Sequence, residues 1–264
     1  MTLVRQASPA PVFGGIAPRF VLLTLVAGGG LLAFVTIRPH QPWILWLTAA
    51  LVALGVDGMV QANPRWHGQW LSSVVYLFLP VIVLLALGYF IDHALHGYAR
   101  PIAAIPAALA VGAVAFGEYH TVDFGSALYG PMRLLLAIAT YLAAFALYTV
   151  VYSEGPGVAT SAVIVGLSSL ALAMELLRES RMMGPSSLLA GLAIGASIAE
   201  LRLAFYFFPL DGILAGALLI IGFYLATGVV HHLLDHDLEL STLAEYVIVA
   251  GVGATAVVFT RAFV

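Results

Sequence analysis

Three groups of residues in this chain could do chemistry. The first is His231-His232-Leu-Leu-Asp235-His236-Asp237, which directly follows a long apolar run. If that run stays helical past Val230, His232 and His236 stand four residues apart. Asp235 is then four from His231 and three from His232, so these groups share a face. Two neutral imidazoles and a carboxylate at that spacing could hold zinc, iron or manganese. A divalent metal bound by His232, Asp235 and His236 is thus the cofactor this cluster would take. These three leave the ion open on one side, and Glu118, His120 or Asp123, in a polar loop from Glu118 to Pro131, would have to close it. The glutamate that directly follows the first histidine of a zinc hydrolase is absent. The plainer reading is a solvated segment where a helix leaves a membrane.

The second group is Asp92, His93 and His96. It could bind a metal, but a b-type haem is set aside, because axial ligands lie within the apolar layer and this pair stands at the end of an apolar run. The third group is Asp57, Glu200 and Arg202, each inside an apolar run. A charged side chain at the centre of a membrane helix costs about 2.5–3.5 kcal/mol, so these three should face protein or water. Glu200 and Arg202 are two residues apart and point to nearly opposite sides of a helix, so they cannot be partners. Asp211, beyond the Pro209-Leu210 turn, is better placed for Arg202. Glu200 directly follows the row Gly191, Gly195, Ala199 and is expected to be the most functionally sensitive residue, as an interhelical hydrogen-bonding group or a proton carrier.

The elements that position these groups follow from composition. Hydrophobic residues make up 62% of the 264 and charged residues 9%, with a mean hydropathy of +1.05. Too few charges are present to cover a water-soluble globule, so the lipid bilayer is the solvent. All basic residues are arginine, which excludes Schiff-base lysine chemistry, and the lack of cysteine excludes thiolate sites and disulfides. A net charge of −3, spread along the chain, offers no footprint for nucleic acid.

A bilayer core of about 30 Å takes roughly 20 helical residues. After a polar lead over residues 1–19, residues 20–264 read as one all-α, polytopic transmembrane helix bundle. Its spans are Phe20 to Ile37, Trp43 to Ala62, Leu71 to Ile91, Pro101 to Gly117, Met132 to Tyr152, Val158 to Leu177, Ser186 to Phe208, Gly212 to Val230 and Leu243 to Phe263. That is nine spans, or eight if the short fourth segment is re-entrant. Thr242-Leu-Ala-Glu245 fits a capping box that would start the last span. Trp43, Trp46, Trp66, Trp70 and Tyr98 fall near span ends, where rings with one wet edge favour the interface. Small-residue faces, Gly191-x-x-x-Gly195-x-x-x-Ala199 and Gly212-x-x-x-Gly216, predict that spans seven and eight pack as a hairpin on their glycines.

Orientation follows from the arginines. Arg5, Arg19, Arg65, Arg133, Arg178 and Arg181 fall on the N-terminal side, against Arg38, Arg100 and Arg261 on the other, which predicts a cell-membrane protein with a cytoplasmic N-terminus. The stretch Ala199-Glu200, Phe207-Phe208-Pro209, His231-His232 and Ala244-Glu245-Tyr246 resembles uncharacterised bacterial multi-pass membrane proteins over the last quarter of the chain. That resemblance implies the membrane class and no activity. Two functions fit. One is a non-catalytic, transport-related or complex-forming subunit with protein partners in the membrane. The other is a membrane-embedded metal-dependent enzyme acting on a lipid-like substrate at the cytoplasmic face, with Glu118 or Asp237 as acid or base.

Overall fold

The computed structural model describes residues 17–37, 39, 41–66, 73–155, 157–178, 185–208, 210–235 and 240–262. Among them the chain forms α1 (Ala17–Thr36), α2 (Pro42–Gln61), α3 (Val75–Ala94), α4 (Ala99–His120), α5 (Tyr129–Glu154), α6 (Val158–Leu177), α7 (Pro185–Ala204), α8 (Gly212–Leu234) and α9 (Leu240–Ala262). A single 3₁₀ turn, Phe205–Phe207, extends α7. Helices dominate because in lipid every backbone N–H and C=O must be satisfied within its own segment. Eight of these helices, α1 to α8, are long and apolar enough to cross a membrane, and α9 carries a shorter apolar stretch, Leu243–Ala256.

The fourth segment is a continuous helix of 22 residues, Ala99–His120, long enough to cross despite Pro106 within it. Its extension to His120 also corrects the expected loop: Glu118 and His120 are helical. Asp211 is likewise not the partner of Arg202. It caps α8, with Oδ1 accepting from the Leu214 N–H at 2.7 Å, which satisfies one of the free donors of a first turn. α9 begins at Leu240, so Thr242 falls inside the first turn and not at the expected cap position.

Neighbouring helices run antiparallel, so the ends of α2, α4, α6 and α8 gather with the starts of α3, α5, α7 and α9. The buried core threads α1 to α6, with Leu31, Val52, Leu84, Val111, Tyr148 and Leu172 sealed inside. Tyr148 is fully buried and shares a hydrogen bond with Ser169 at 2.6 Å, so its hydroxyl costs the core little. α9 lies at the edge and packs on α8, where Tyr246 packs at a tilt against Tyr224 and covers Gly228.

The glycine faces are present, but their partners differ from the expectation. Gly191 and Gly195 of α7 turn toward α6. A Cβ added at Gly195 would lie 2.7 Å from the Gly166 carbonyl oxygen, and one at Gly166 would lie 3.0 Å from the Ala199 Cβ. Gly212 and Gly216 of α8 turn toward Ser153 and Thr149 of α5. The reason is that α6 carries a matching glycine and α5 small hydroxyl side chains, whereas α8 meets α7 elsewhere, where Gly222 makes room for Leu201. Gly195→Ala should therefore force α6 and α7 apart and destabilise the bundle by about 1–3 kcal/mol. Thermal melting in detergent would show this, with Gly29→Ala, which has nothing within 4 Å, as the unaffected control.

Candidate functional site

The densest polar chemistry lies where α3, α4, α5 and α6 converge at the N-terminal end of the bundle. Glu118 of α4 and Glu175 of α6 are 0% and 2% exposed, and Arg133 of α5 is 7% exposed. Arg178, directly after α6, completes the group. Arg133 Nη1 donates to Glu175 Oε1 at 2.6 Å and its Nη2 to the Glu175 carbonyl at 3.1 Å. Arg178 Nη1 lies 3.0 Å from Glu175 Oε2 and 2.8 Å from Glu118 Oε2. Arg178 Nη2 donates to the Thr121 hydroxyl at 3.0 Å, and its guanidinium carbon stands 4.4 Å over the Tyr76 ring. The result is a charge-neutral chain, Arg133–Glu175–Arg178–Glu118, that touches four helices. Burial opposes the charge on Arg178, but Glu118 and Glu175 outweigh it and raise its pKa further.

Local sequence explains how these groups meet. Glu175 and Arg178 are three apart, so they share a face at the end of α6. Glu118 stands two residues before the end of α4 and Arg133 four after the start of α5, so the α4–α5 connection brings both near the same depth. Around it, Asp123 pairs with Arg65, and Asn63 Nδ2 donates to the Tyr119 carbonyl at 3.0 Å. A cleft of about 430 Å³ runs between Asn63, Arg65, His120 and Asp123.

The expected site residues are dispersed. Asp57 is half-buried near the end of α2. Its Oδ1 accepts from Ser73 at 2.5 Å and its Oδ2 from Gln61 at 2.8 Å, so two neutral donors satisfy it. Arg202 is 6% exposed and lies 4.4 Å over the Tyr152 ring of α5. Glu200, two residues away, is exposed on the outer face of α7. It makes no hydrogen bond or ion pair with a described residue, and it lies away from the Gly191–Gly195 contact it was expected to border. Gly195 turns to α6, whereas Glu200 stands on the other side of the helix.

His231 Nε2 approaches Asp235 Oδ2 at 3.5 Å, and His232 packs at a tilt against Tyr246. His236 and Asp237 lie outside the described residues, as do Arg5, Arg38, His67, Trp70 and Arg181. The groups expected to complete a metal there have other partners: Glu118 with Arg178, Asp123 with Arg65, and His120 against the Phe116 ring at 4.3 Å. Among the described residues no three of His, Asp and Glu come together as metal ligands. At the opposite end, His93 Nδ1 bonds Glu154 at 2.8 Å and Arg100 lies 3.4 Å from Asp92. These four line a polar pocket of about 490 Å³ with His96.

Sequence reasoning missed Glu175 altogether and placed Glu118, Arg133 and Arg178 in or beside loops. The available signal was an acid inside an apolar run followed by arginine at i+3. What fold and network define is an all-helical, multi-pass membrane protein. The chain belongs to the family described as Protein of unknown function (DUF5656), which it matches over residues 18–260. No curated protein and no solved structure matches it.

Arg178 serves two carboxylates, a hydroxyl and a ring. Arg178→Gln should therefore destabilise the bundle more than Arg133→Gln, on the order of 3–5 kcal/mol, because it leaves Glu118 buried without a charged partner. Denaturation in mild detergent, followed by helical signal and by aggregation, checks the order of the two variants.

Proposed function

We propose that this protein is a non-catalytic, complex-forming membrane subunit, and that a second transmembrane chain covers the outer face of α7. One observation carries the proposal: Glu200 is exposed on a face that also presents Leu189, Ala193, Ala196 and Ser197. Four residues of α-helix at about 1.5 Å and the three of the 3₁₀ turn at about 2 Å put it roughly 12 Å inside the end of the span. A carboxyl at such depth facing hydrocarbon is costly, and a helix–helix contact supplying a donor removes that cost. The alanines and serine around Glu200 let another helix come close.

A second copy meeting this one through α7 would set two Glu200 carboxylates against each other, while the neighbouring Arg202 faces inward. The occupant is therefore a different chain with an arginine, lysine or amide at this depth. The arginine distribution supports a cytoplasmic N-terminus less strongly once Arg133 and Arg178 are counted with their buried carboxylates. That leaves Arg5, Arg19, Arg65 and Arg181 against Arg38, Arg100 and Arg261.

Extraction of the 27.8 kDa chain directly from its native membrane into polymer-bounded discs tests the reading. A second, different chain in fixed stoichiometry is expected. Glu200→Leu should weaken that association about 3- to 30-fold, as for the loss of an interhelical hydrogen bond of about 0.6–2 kcal/mol, while Glu200→Gln largely retains it. A complex unchanged by Glu200→Leu, a homodimer, or a lone chain would each overturn the proposal.

A further inference from the structure

A groove of about 340 Å³ lies between α1 and α2 at the N-terminal end of the bundle. Its rims are Leu22 and Val26 of α1 and Leu54 of α2, and Arg19 stands at its outer end. Leu22 and Leu54 are exposed, so the groove opens sideways to lipid. Two glycines give it depth. Gly55 makes room for the Leu23 side chain, which lies 2.8 Å from where a Cβ would stand, and Gly58 has nothing within 4 Å of that point.

The charge at the outer end of the groove is unmatched. Arg19 is exposed, and among the described residues no carboxylate pairs with it. The chain has no acidic residue before Asp57. Asp57 is taken by Ser73 and Gln61, Asp123 by Arg65, and Glu118 by Arg178. Asp57 also stands about 100° round α2 from Gly58, off the groove.

We propose that this groove seats one phospholipid of the leaflet at the N-terminal end, with its phosphate on Arg19 and one acyl chain laid along Gly58 and Gly55. The guanidinium offers two parallel N–H donors to a phosphate, and the headgroup layer reaches it without opening the bundle. The order along the membrane normal is that of a lipid. Arg19 is two residues after the start of α1, about 3 Å inside it at 1.5 Å per residue. From there the apolar groove runs roughly 10 Å toward the bilayer centre, from Arg19 to Val26 on one wall. Occupancy by another helix is excluded by width, since a helix is about 10 Å across with its side chains, whereas a single acyl chain fits.

Lipid retention by the full-length protein tests this. Protein in an uncharged detergent is offered phosphatidylglycerol, or a galactosyl diacylglycerol that carries no phosphate, and bound lipid is counted by native mass spectrometry. Wild type should keep phosphatidylglycerol through delipidating washes and lose the galactolipid. Arg19→Gln should keep at least about fivefold less phosphatidylglycerol. Gly58→Leu, which fills the groove and leaves Arg19 in place, should lose as much. Gly130→Leu puts the same side chain at an exposed glycine of α5 that also has nothing within 4 Å, and it should retain lipid like the wild type. Excess inorganic phosphate should leave the bound lipid in place. Unchanged retention in either Arg19→Gln or Gly58→Leu, equal retention of the two lipids by the wild type, equal losses in Gly130→Leu and Gly58→Leu, or displacement by inorganic phosphate would each overturn the proposal.

Discussion

Four mutually paired charges buried in a largely apolar bundle are the constraint on which the rest depends. Glu118, Arg133, Glu175 and Arg178 cannot be left singly in hydrocarbon, and none of them has water to fall back on. They are tolerable only together, because each guanidinium meets a carboxylate at 2.6 to 3.0 Å and the group is neutral as a whole. Apolar side chains contribute little to specificity in a membrane, since lipid tails are as apolar as leucine. The network is directional where the apolar contacts are not. It selects one rotation and one depth for α4, α5 and α6, and Tyr76 brings α3 into the same register.

Away from the network, the helices are held by close approach. Gly166 and Gly195 bring α6 and α7 together, and Gly216 admits Thr149 of α5 against α8. This leaves the two ends of the bundle unlike each other. The N-terminal end is tied by matched buried charges. The other end has more exposed pairs, His93 with Glu154 and Arg100 with Asp92, and one buried arginine packed on a ring.

Much of the fold was legible because it rests on a one-dimensional property. Runs of about 20 apolar residues must be helices in lipid, so α6 and the start of α8 match the expected limits and the others differ by a few residues. The polar site was less legible because it depends on which helices become neighbours. Glu175-x-x-Arg178 was visible as an i, i+3 pair, but nothing in the chain says that it meets Arg133, 42 residues away, or Glu118, 60 residues from Arg178. The same limit applies to Gly195, whose small face was readable and whose partner, Gly166, was not. Glu200 and Arg202 were half legible: their two-residue spacing placed them on different sides of α7, but the expectation that both face protein or water holds for Arg202, which is buried, and not for Glu200, which is exposed on the outer face.

A double-mutant cycle on Arg133 and Glu175 measures most directly whether matched buried charge holds the bundle. Each change to methionine leaves a charge behind in the core, so each alone should cost about 3–5 kcal/mol. The double change removes both charges and supplies apolar volume. It should therefore cost far less than the sum, giving a coupling of at least about 2 kcal/mol. Additive losses, with the double variant as unstable as the two singles combined, would contradict the view that the network acts as a unit.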